Sequence, residues 1–342
     1  MNFSRLAPAV LVIVTASALG CGGQARESAT TNDAALQVGL VFDVGGRGDK
    51  SFNDAAYAGL VRAEHELGVH FTTLESGEGA EREAGLRQLA ASGADLVFGV
   101  GFLFSDDIRR LAGEFPGTRF ACIDYTLTPG EALPPNLAAL VFKEEEGCFL
   151  VGALAALLTR TGTVGFVGGM ETPLIRRFET GYRAGVFHAK RSVRVLAKYA
   201  GTTGTAFKDP TKGKELALSE YQQGADIIFH AAGSTGLGVF EAARQTGKLV
   251  IGVDSDQNNE APGNVLTSMV KRVDRAVFEV IRETRDGRFP AGARVFGLAE
   301  GGVGWVYDGR NSALIPDSVK AAVDTLERRI IEGAIRVPRE HA

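Results

Sequence analysis

The sequence predicts an α/β protein built from two lobes of similar plan, each with a mostly parallel sheet covered by helices on both faces. The first observation is that short apolar runs alternate with stretches of helical period from residue 36 onwards. The second is that this alternation starts again near residue 163, where two glycines once more follow an apolar run. The third is an aromatic residue and a glycine seven positions apart in one helix of each half: Phe52 with Gly59, and Phe178 with Gly185.

The first half of the chain is predicted to supply five strands and three helices to one lobe. Its apolar runs are the length of buried strands, and the segments between them have one apolar face. The strands are expected at 36–42, 69–74, 96–100, 118–123 and 138–142, and the helices near 52–67, 79–91 and 105–114. With a later return of the chain, we expect this lobe to comprise residues 36–144 and 272–295.

The second half repeats this plan. Asp209 and Pro210 form an N-cap and first-turn pair that predicts a helix start. Strands are expected at 163–167, 194–199, 227–231, 249–253 and 265–270, and helices near 146–159, 176–189, 210–222 and 235–245. A helix at 273–286, short strands at 293–298 and 303–307, and a helix at 316–333 complete the chain. We expect the second lobe to comprise residues 145–271 and 296–338.

Composition narrows the class of partner. With 45% hydrophobic and 23% charged residues, the 342-residue chain is an ordinary globular protein, large enough for two cores. Its formal net charge of −4 argues against a nucleic-acid partner, because proteins that bind nucleic acids present a basic surface.

The N-terminus carries a predicted targeting signal. The apolar segment at 6–19 has the length of a secretory h-region and is short for a membrane span. It leads into Ser17-Ala18-Leu19-Gly20-Cys21, which resembles a bacterial lipobox. We expect residues 1–20 to be a signal peptide, Cys21 to be lipidated and residues 21–35 to form a flexible tether, with plain secretion as the alternative. The folded part would then be anchored to the cell membrane and face the periplasm or the cell exterior.

The loop that follows the first strand is the first candidate ligand site. Open α/β sheets bind ligands outside the carboxyl ends of their strands. Ser51 is expected to cap the following helix. A carboxylate can accept sugar hydroxyls, a ring can stack on a base, and an amide can pair with a base edge, so the candidate contacts are Asp43, Phe52 and Asn53. The alternative is a glycine loop with a solvated aspartate and a core phenylalanine.

Four later strand ends also carry polar or glycine-rich segments. They begin at Asp124, Gly233, Asp254 and Lys271. Because every one of these strands is expected to end at the same edge of its sheet, their recurrence predicts that the side chains converge on one crevice.

Catalytic, cofactor and metal motifs are not predicted. Asp49 and Val44 break the P-loop pattern, and the five histidines have no metal spacing. The acidic run 254–260 lacks the glycine and the final glutamate of a calcium loop, so a capped turn is the preferred interpretation. The run 144–146 is interpreted as negative charge that stabilises a helix start. Cys122 and Cys148 are expected to be small buried hydrophobic residues.

Several motifs together resemble the basic membrane protein family of ABC-transporter substrate-binding lipoproteins. The resemblance covers nearly the whole mature chain. The motifs that carry it are Val38–Gly46, Asp49–Asn53, Glu146–Ala156, Asp209–Glu215, Ala231–Gly236, Ile251–Gln257 and Leu266–Arg272.

This resemblance implies a type I periplasmic-binding-protein fold, in which three hinge strands join two Rossmann-like lobes. Members similar to purine nucleoside receptors bind a nucleoside between the lobes. By correspondence of the motifs, Phe52 and Phe207 would sandwich the base, and Asn53 and Asp124 would lie on its edge. The residues expected to take the ribose are Asp43, Gly233, Asp254 and Lys271.

The function expected from this resemblance is capture of a purine nucleoside and its delivery to the permease and ATPase of an ABC importer, without a cofactor or metal. Two alternatives remain. One is a nucleoside hydrolase that uses Asp43, Asp254 or Asp256, and the other is a receptor that passes its ligand state to a signalling partner.

Overall fold

The computed structural model describes residues 35–77 and 79–340. The predicted signal peptide, Cys21 and nearly all of the predicted tether lie outside the described residues. Within the described ranges, no helix is both long enough and apolar enough to cross a membrane. Cys122 and Cys148 are buried free thiols, as predicted.

Strands and helices alternate along the chain. Up to residue 142 the elements are β1 (Gln37–Val41), α1 (Phe52–Leu67), β2 (His70–Leu74), α2 (Ala80–Ala91), β3 (Leu96–Val100), α3 (Ser105–Glu114), β4 (Arg119–Ile123) and β5 (Leu137–Phe142). The next are α4 (Glu144–Leu158), β6 (Thr163–Met170), α5 (Pro173–Ala189), β7 (Arg194–Gly201), α6 (Pro210–Gln222), β8 (Ile227–Ala231), α7 (Gly236–Thr246), β9 (Leu249–Asp254) and β10 (Val265–Lys271). The last are α8 (Val273–Arg285), β11 (Gly292–Phe296), β12 (Val303–Trp305) and α9 (Asp317–Ile331).

The described strands form two six-stranded sheets of matching order, β11-β5-β4-β3-β1-β2 and β12-β10-β9-β8-β6-β7. All pairings are parallel except that of β12 with β10. The two orders place β4 of one sheet where β9 lies in the other, and β5 where β10 lies. The chain passes between the sheets at 142–144, at 271–273 and at 296–303. The lobe boundaries given above stay a prediction.

The repeated glycines lie where helices cross closely. A Cβ atom at Gly185 would lie 1.9 Å from the carbonyl oxygen of Phe149 on α4, and one at Gly59 would lie 2.5 Å from the carbonyl oxygen of Asp274 on α8. Such distances are too short for any side chain. The glycine in each sequence repeat therefore permits one tight helix crossing in each lobe.

Candidate functional site

A cavity lies where the carboxyl ends of strands from both sheets meet. The structure brings together all eight residues that the sequence predicted as ligand contacts: Asp43, Phe52, Asn53, Asp124, Phe207, Gly233, Asp254 and Lys271.

Ser51 stands at the N-cap position of α1, as predicted, but its side chain makes no capping hydrogen bond, and the carboxylate of Asp49 caps the helix instead. One carboxylate oxygen of Asp49 accepts hydrogen bonds from the backbone N–H of Ser51 (2.9 Å) and Asp54 (3.1 Å), and the other accepts from that of Asn53 (2.8 Å). Two carboxylate oxygens satisfy three N–H groups, which one hydroxyl cannot do. The Ser51 hydroxyl is thereby free to donate to Asp254 Oδ2 in the other lobe at 2.6 Å.

Asn53 holds Asp43 in place at the cavity wall. Asn53 Nδ2 donates to Asp43 Oδ1 at 2.7 Å, and Asn53 Oδ1 accepts from the backbone N–H of Asp43 at 3.2 Å. The backbone N–H of Gly45 also donates to Asp43 Oδ1, at 2.8 Å. Burial raises the pKa of Asp43 to about 6. The amide of Asn53 thus positions a carboxylate, and its contact with a base edge stays a prediction.

Asp124 and Asp254 occupy equivalent positions in the two lobes, at the ends of β4 and β9. Both have left-handed backbone conformations, with φ of 62° and 63°. A non-glycine residue in this conformation is strained, and such residues concentrate at functional sites. Burial raises the pKa of Asp254 to about 7. The cavity therefore has one strained, buried carboxylate on each side.

Lys271 lies at the end of β10, beside the second crossing between the lobes, and is only 1% exposed. Its Nζ donates to Asp124 Oδ2 at 2.6 Å and to Glu144 Oε1 at 3.2 Å. The rings of Phe52, Phe142 and Phe178 surround the ammonium, with centroids 5.1, 4.9 and 5.5 Å away. Burial alone would lower the pKa of Lys271, but the charges of Asp124 and Glu144 outweigh it and raise that pKa. Lys271 is therefore a buried cation with its counter-ions already in place.

Phe52 and Phe207 supply aromatic surface from opposite lobes. Phe52 begins α1 next to Gly101, where a Cβ atom would lie 3.6 Å from its ring. Phe207 ends a short 3-10 turn between β7 and α6 and covers Gly169, where a Cβ atom would come within 2.4 Å of the ring. Gly169 therefore makes room for the ring of Phe207.

Comparison with known proteins identifies the family. Residues 36–341 match the profile of the family described as ABC transporter substrate-binding protein PnrA-like, or Bmp. The chain belongs to the Bmp family.

The similarity extends over nearly full lengths. The chain is 33% identical over 325 residues to the ABC transporter nucleoside-binding protein BmpA of Lactococcus lactis, with 89% of each chain covered. It is 36% identical to an uncharacterized lipoprotein of Pyrococcus horikoshii, across 90% of this chain and 78% of that relative. The solved structure of an ABC transporter solute-binding protein from Aeropyrum pernix matches with a TM-score of 0.81 and 32% identity, covering 90% of this chain and 94% of the other.

These findings confirm the predicted family and the predicted type I periplasmic-binding-protein fold with two Rossmann-like lobes. This Bmp-family chain is a substrate-binding protein of an ABC transporter and not an enzyme. In the described part of the chain, no group of His, Cys, Asp and Glu side chains is arranged to hold a metal ion. The acidic run 254–260 instead forms a turn in which Asp256 Oδ1 accepts from the backbone N–H of Asn258 at 3.1 Å.

Two site residues of this Bmp-family protein were missed by sequence reasoning. Glu144 is fully buried against Lys271, although its run was interpreted as helix-start charge. Phe178 lines the cavity from α5, seven residues before Gly185, just as Phe52 stands seven residues before Gly59. The available signal for Phe178 was that it precedes a glycine by seven residues, as Phe52 does. Glu144 had no local signal, because its partner Lys271 is 127 residues away in the sequence.

Proposed function

We propose that this Bmp-family protein binds a purine nucleoside in the cleft between its lobes and delivers it to the permease of an ABC importer. The observation that carries the proposal is one cavity lined by aromatic rings from both lobes and by buried carboxylates. The relative from Lactococcus lactis, whose name describes a nucleoside-binding protein, supports it.

The two rings supply the affinity for the base. Phe52 and Phe207 are half-buried and border the same cavity from opposite lobes. Stacking of a base on an aromatic side chain contributes roughly 1–3 kcal/mol, with little dependence on the base. A base held between both rings would bind the two lobes at once. Ligand binding and lobe closure are therefore coupled in this proposal.

The carboxylates supply the affinity for the sugar. Asp43 and Asp254 border the cavity, and a carboxylate can accept hydrogen bonds from neighbouring ribose hydroxyls. A hydrogen bond to a charged group contributes about 1.5–3 kcal/mol, so the rings and two such carboxylates suffice for micromolar binding after the ordering costs.

The charge of the cleft selects against a phosphate group. Four aspartates line it, at positions 43, 49, 124 and 254. The one lysine among the lining residues, Lys271, already has Asp124 and Glu144 as counter-ions. A nucleotide would bring further negative charge beside these carboxylates. We therefore propose that nucleosides are bound in preference to nucleotides.

The remaining parts of the transport proposal concern the membrane. Lipidation of Cys21 would hold the protein at the cell membrane, facing the periplasm or the cell exterior, beside the permease and ATPase subunits. The relative from Pyrococcus horikoshii described as a lipoprotein supports this arrangement.

Titration calorimetry with adenosine, inosine, guanosine and the matched 5′-monophosphates tests the ligand class. We expect one nucleoside per chain, with micromolar or tighter affinity, and weaker binding of each monophosphate. Mass spectrometry after the titration should recover the nucleoside unchanged. Absence of nucleoside binding, or equal binding of the monophosphates, would contradict the proposal.

A further inference from the structure

The loop at 45–51 in the first lobe forms hydrogen bonds with the second lobe that do not involve the aromatic rings of the cavity. The Gly45 carbonyl oxygen accepts from Ser234 Oγ at 3.4 Å, and the Ser51 carbonyl oxygen accepts from Ser255 Oγ at 3.2 Å. The Lys50 carbonyl oxygen accepts from Gln257 Nε2 at 3.0 Å. These three hydrogen bonds join the two lobes.

Gln257 is the most strongly fixed of these donors. Its side chain is buried, and its Oε1 accepts from the backbone N–H of Val253 at 2.8 Å. Its own backbone N–H donates to Ser268 Oγ at 3.1 Å. Because Oε1 must face the Val253 N–H, Nε2 must face the Lys50 carbonyl, so the amide has a single orientation. Gln257 does not line the cavity.

The loop on the other side is shaped to meet this donor. Lys50 has φ of 56°, the left-handed conformation that non-glycine residues avoid. The loop is anchored on its own lobe by Asp54, whose carboxylate accepts from the backbone N–H of Gly48 (2.9 Å) and Lys50 (3.1 Å). The Lys50 carbonyl is thus held in a strained but fixed position opposite Gln257.

We propose that Gln257 is a positioning residue for ligand binding, which holds the lobes closed through the Lys50 carbonyl without touching the ligand. The measured affinity of a protein equals the affinity of its binding-competent state multiplied by the fraction of molecules in that state. Gln257 therefore sets the affinity of the cleft by setting the population of closed molecules. The part of this inference that concerns affinity rests on the proposed function, but the part that concerns closure does not.

The variant Gln257→Glu is nearly isosteric with the native side chain. It keeps the oxygen that accepts from Val253 and replaces the NH2 group that donates to Lys50. At alkaline pH, where the new carboxyl group is ionised, it still accepts from the Val253 N–H but places an oxygen against the Lys50 carbonyl, so that repulsion replaces a hydrogen bond. Gln257→Ala and Ser255→Ala are milder variants that each remove one contact between the lobes. The matched control is Gln223→Glu, because Gln223 Nε2 also donates to a backbone carbonyl, that of Ser219 at 3.1 Å, but within a single lobe.

Closure is measured without ligand by distances between two spin labels. Asp106→Cys and Thr211→Cys place labels at exposed second residues of α3 and α6, helices that begin at the cleft side of their sheets. Opening should lengthen the distance between them. The spin labels should attach at the two introduced cysteines, because Cys21→Ala removes the predicted lipidation site and the thiols of Cys122 and Cys148 are buried.

We expect the control to keep the distance distribution of the unsubstituted chain and Gln257→Glu to shift it to longer distances. Adenosine or inosine affinity should fall about two- to tenfold in Gln257→Ala and further in Gln257→Glu, mainly through faster dissociation. Unchanged distances in folded Gln257→Glu and Gln257→Ala would overturn the inference, whatever ligand the cleft binds. Shifted distances in a protein that binds no nucleoside would instead support the inference and contradict the proposed function.

Discussion

At the residue scale, burial of Asp254 links stability to pH. The side chain lies at the end of β9 beside the Ser51 hydroxyl, and burial raises its pKa from 3.8 to about 7. Between these two values the folded chain binds a proton that the unfolded chain has released, so this group favours folding at low pH and loses that contribution as pH rises through 7. Asp43, with its pKa raised to about 6, acts in the same direction.

The ligand-free protein should therefore lose about 1–3 kcal/mol of unfolding free energy through Asp254 between pH 5 and pH 8. Asp254→Asn should remove that part of the pH dependence, whereas Asp106→Asn, at an exposed position, should keep it. Urea unfolding at four pH values in this range provides the measurement. A slope in Asp254→Asn equal to that of the unsubstituted chain would show that burial does not perturb this carboxyl group.

Sequence reasoning at this scale identified residues by chemical type and not by contact. Strand ends, which are recognisable from apolar runs, led to seven of the eight predicted residues at the cavity, and the family resemblance supplied Phe207. Sequence reasoning found the N-cap position of α1 but not the capping side chain, because Asp49 and Ser51 are both good capping residues and only the loop conformation selects between them. It also gave no sign that Lys271 would have two acidic partners, since ion pairs between distant segments leave no local pattern.

At the element scale, the clearest forecast concerns the crossing of α4 and α5. Gly185→Ala would place a methyl group against the backbone of α4, and overpacking of this kind costs roughly 1–3 kcal/mol or more. Gly113→Ala on α3 is the matched control, because a Cβ atom there has no neighbour within 4 Å. Alanine should stabilise that helix slightly.

Thermal unfolding distinguishes the two variants. The melting temperature should fall by several degrees in Gly185→Ala and stay level or rise in Gly113→Ala. Equal melting temperatures would show that α4 and α5 can move apart without loss of unfolding free energy. The positions of these helices could be predicted from sequence, because apolar faces and caps are local signals. The closeness of their crossing could not, because a glycine that permits contact and one in a loop have the same sequence signal.

At the scale of the whole molecule, the forecast concerns the anchor. Cys21→Ala should move the protein from the membrane fraction to the soluble fraction, because a lipid-modified terminus provides the membrane affinity. Deletion of residues 24–34 should leave nucleoside affinity unchanged, since the lining residues within the described part of the chain begin at Asp43. Fractionation followed by mass spectrometry of the N-terminal peptide makes the measurement. An unsubstituted chain found soluble and without lipid would contradict the anchor.

The two-lobed plan was predictable because the alternation of strands and helices starts again halfway along the chain. The hydrogen bonds between the lobes were not predictable, because they join residues such as Gln257 and Lys50, which are 207 positions apart. The proposed coupling of ligand binding to closure is therefore a property of the assembled molecule. It depends on rings from opposite lobes facing one cavity.

The measurement that tests this account most directly is calorimetric titration of a purine nucleoside into the unsubstituted chain, Phe52→Ala, Phe207→Ala and a control, Phe187→Ala, whose ring is 40% exposed on α5. We expect each cavity variant to lose about 1–3 kcal/mol of binding free energy, with little change in the melting temperature of the ligand-free protein. The control should bind as the unsubstituted chain does. Unchanged binding in both cavity variants, together with melting temperatures lowered as for a lost core phenylalanine, would contradict the account.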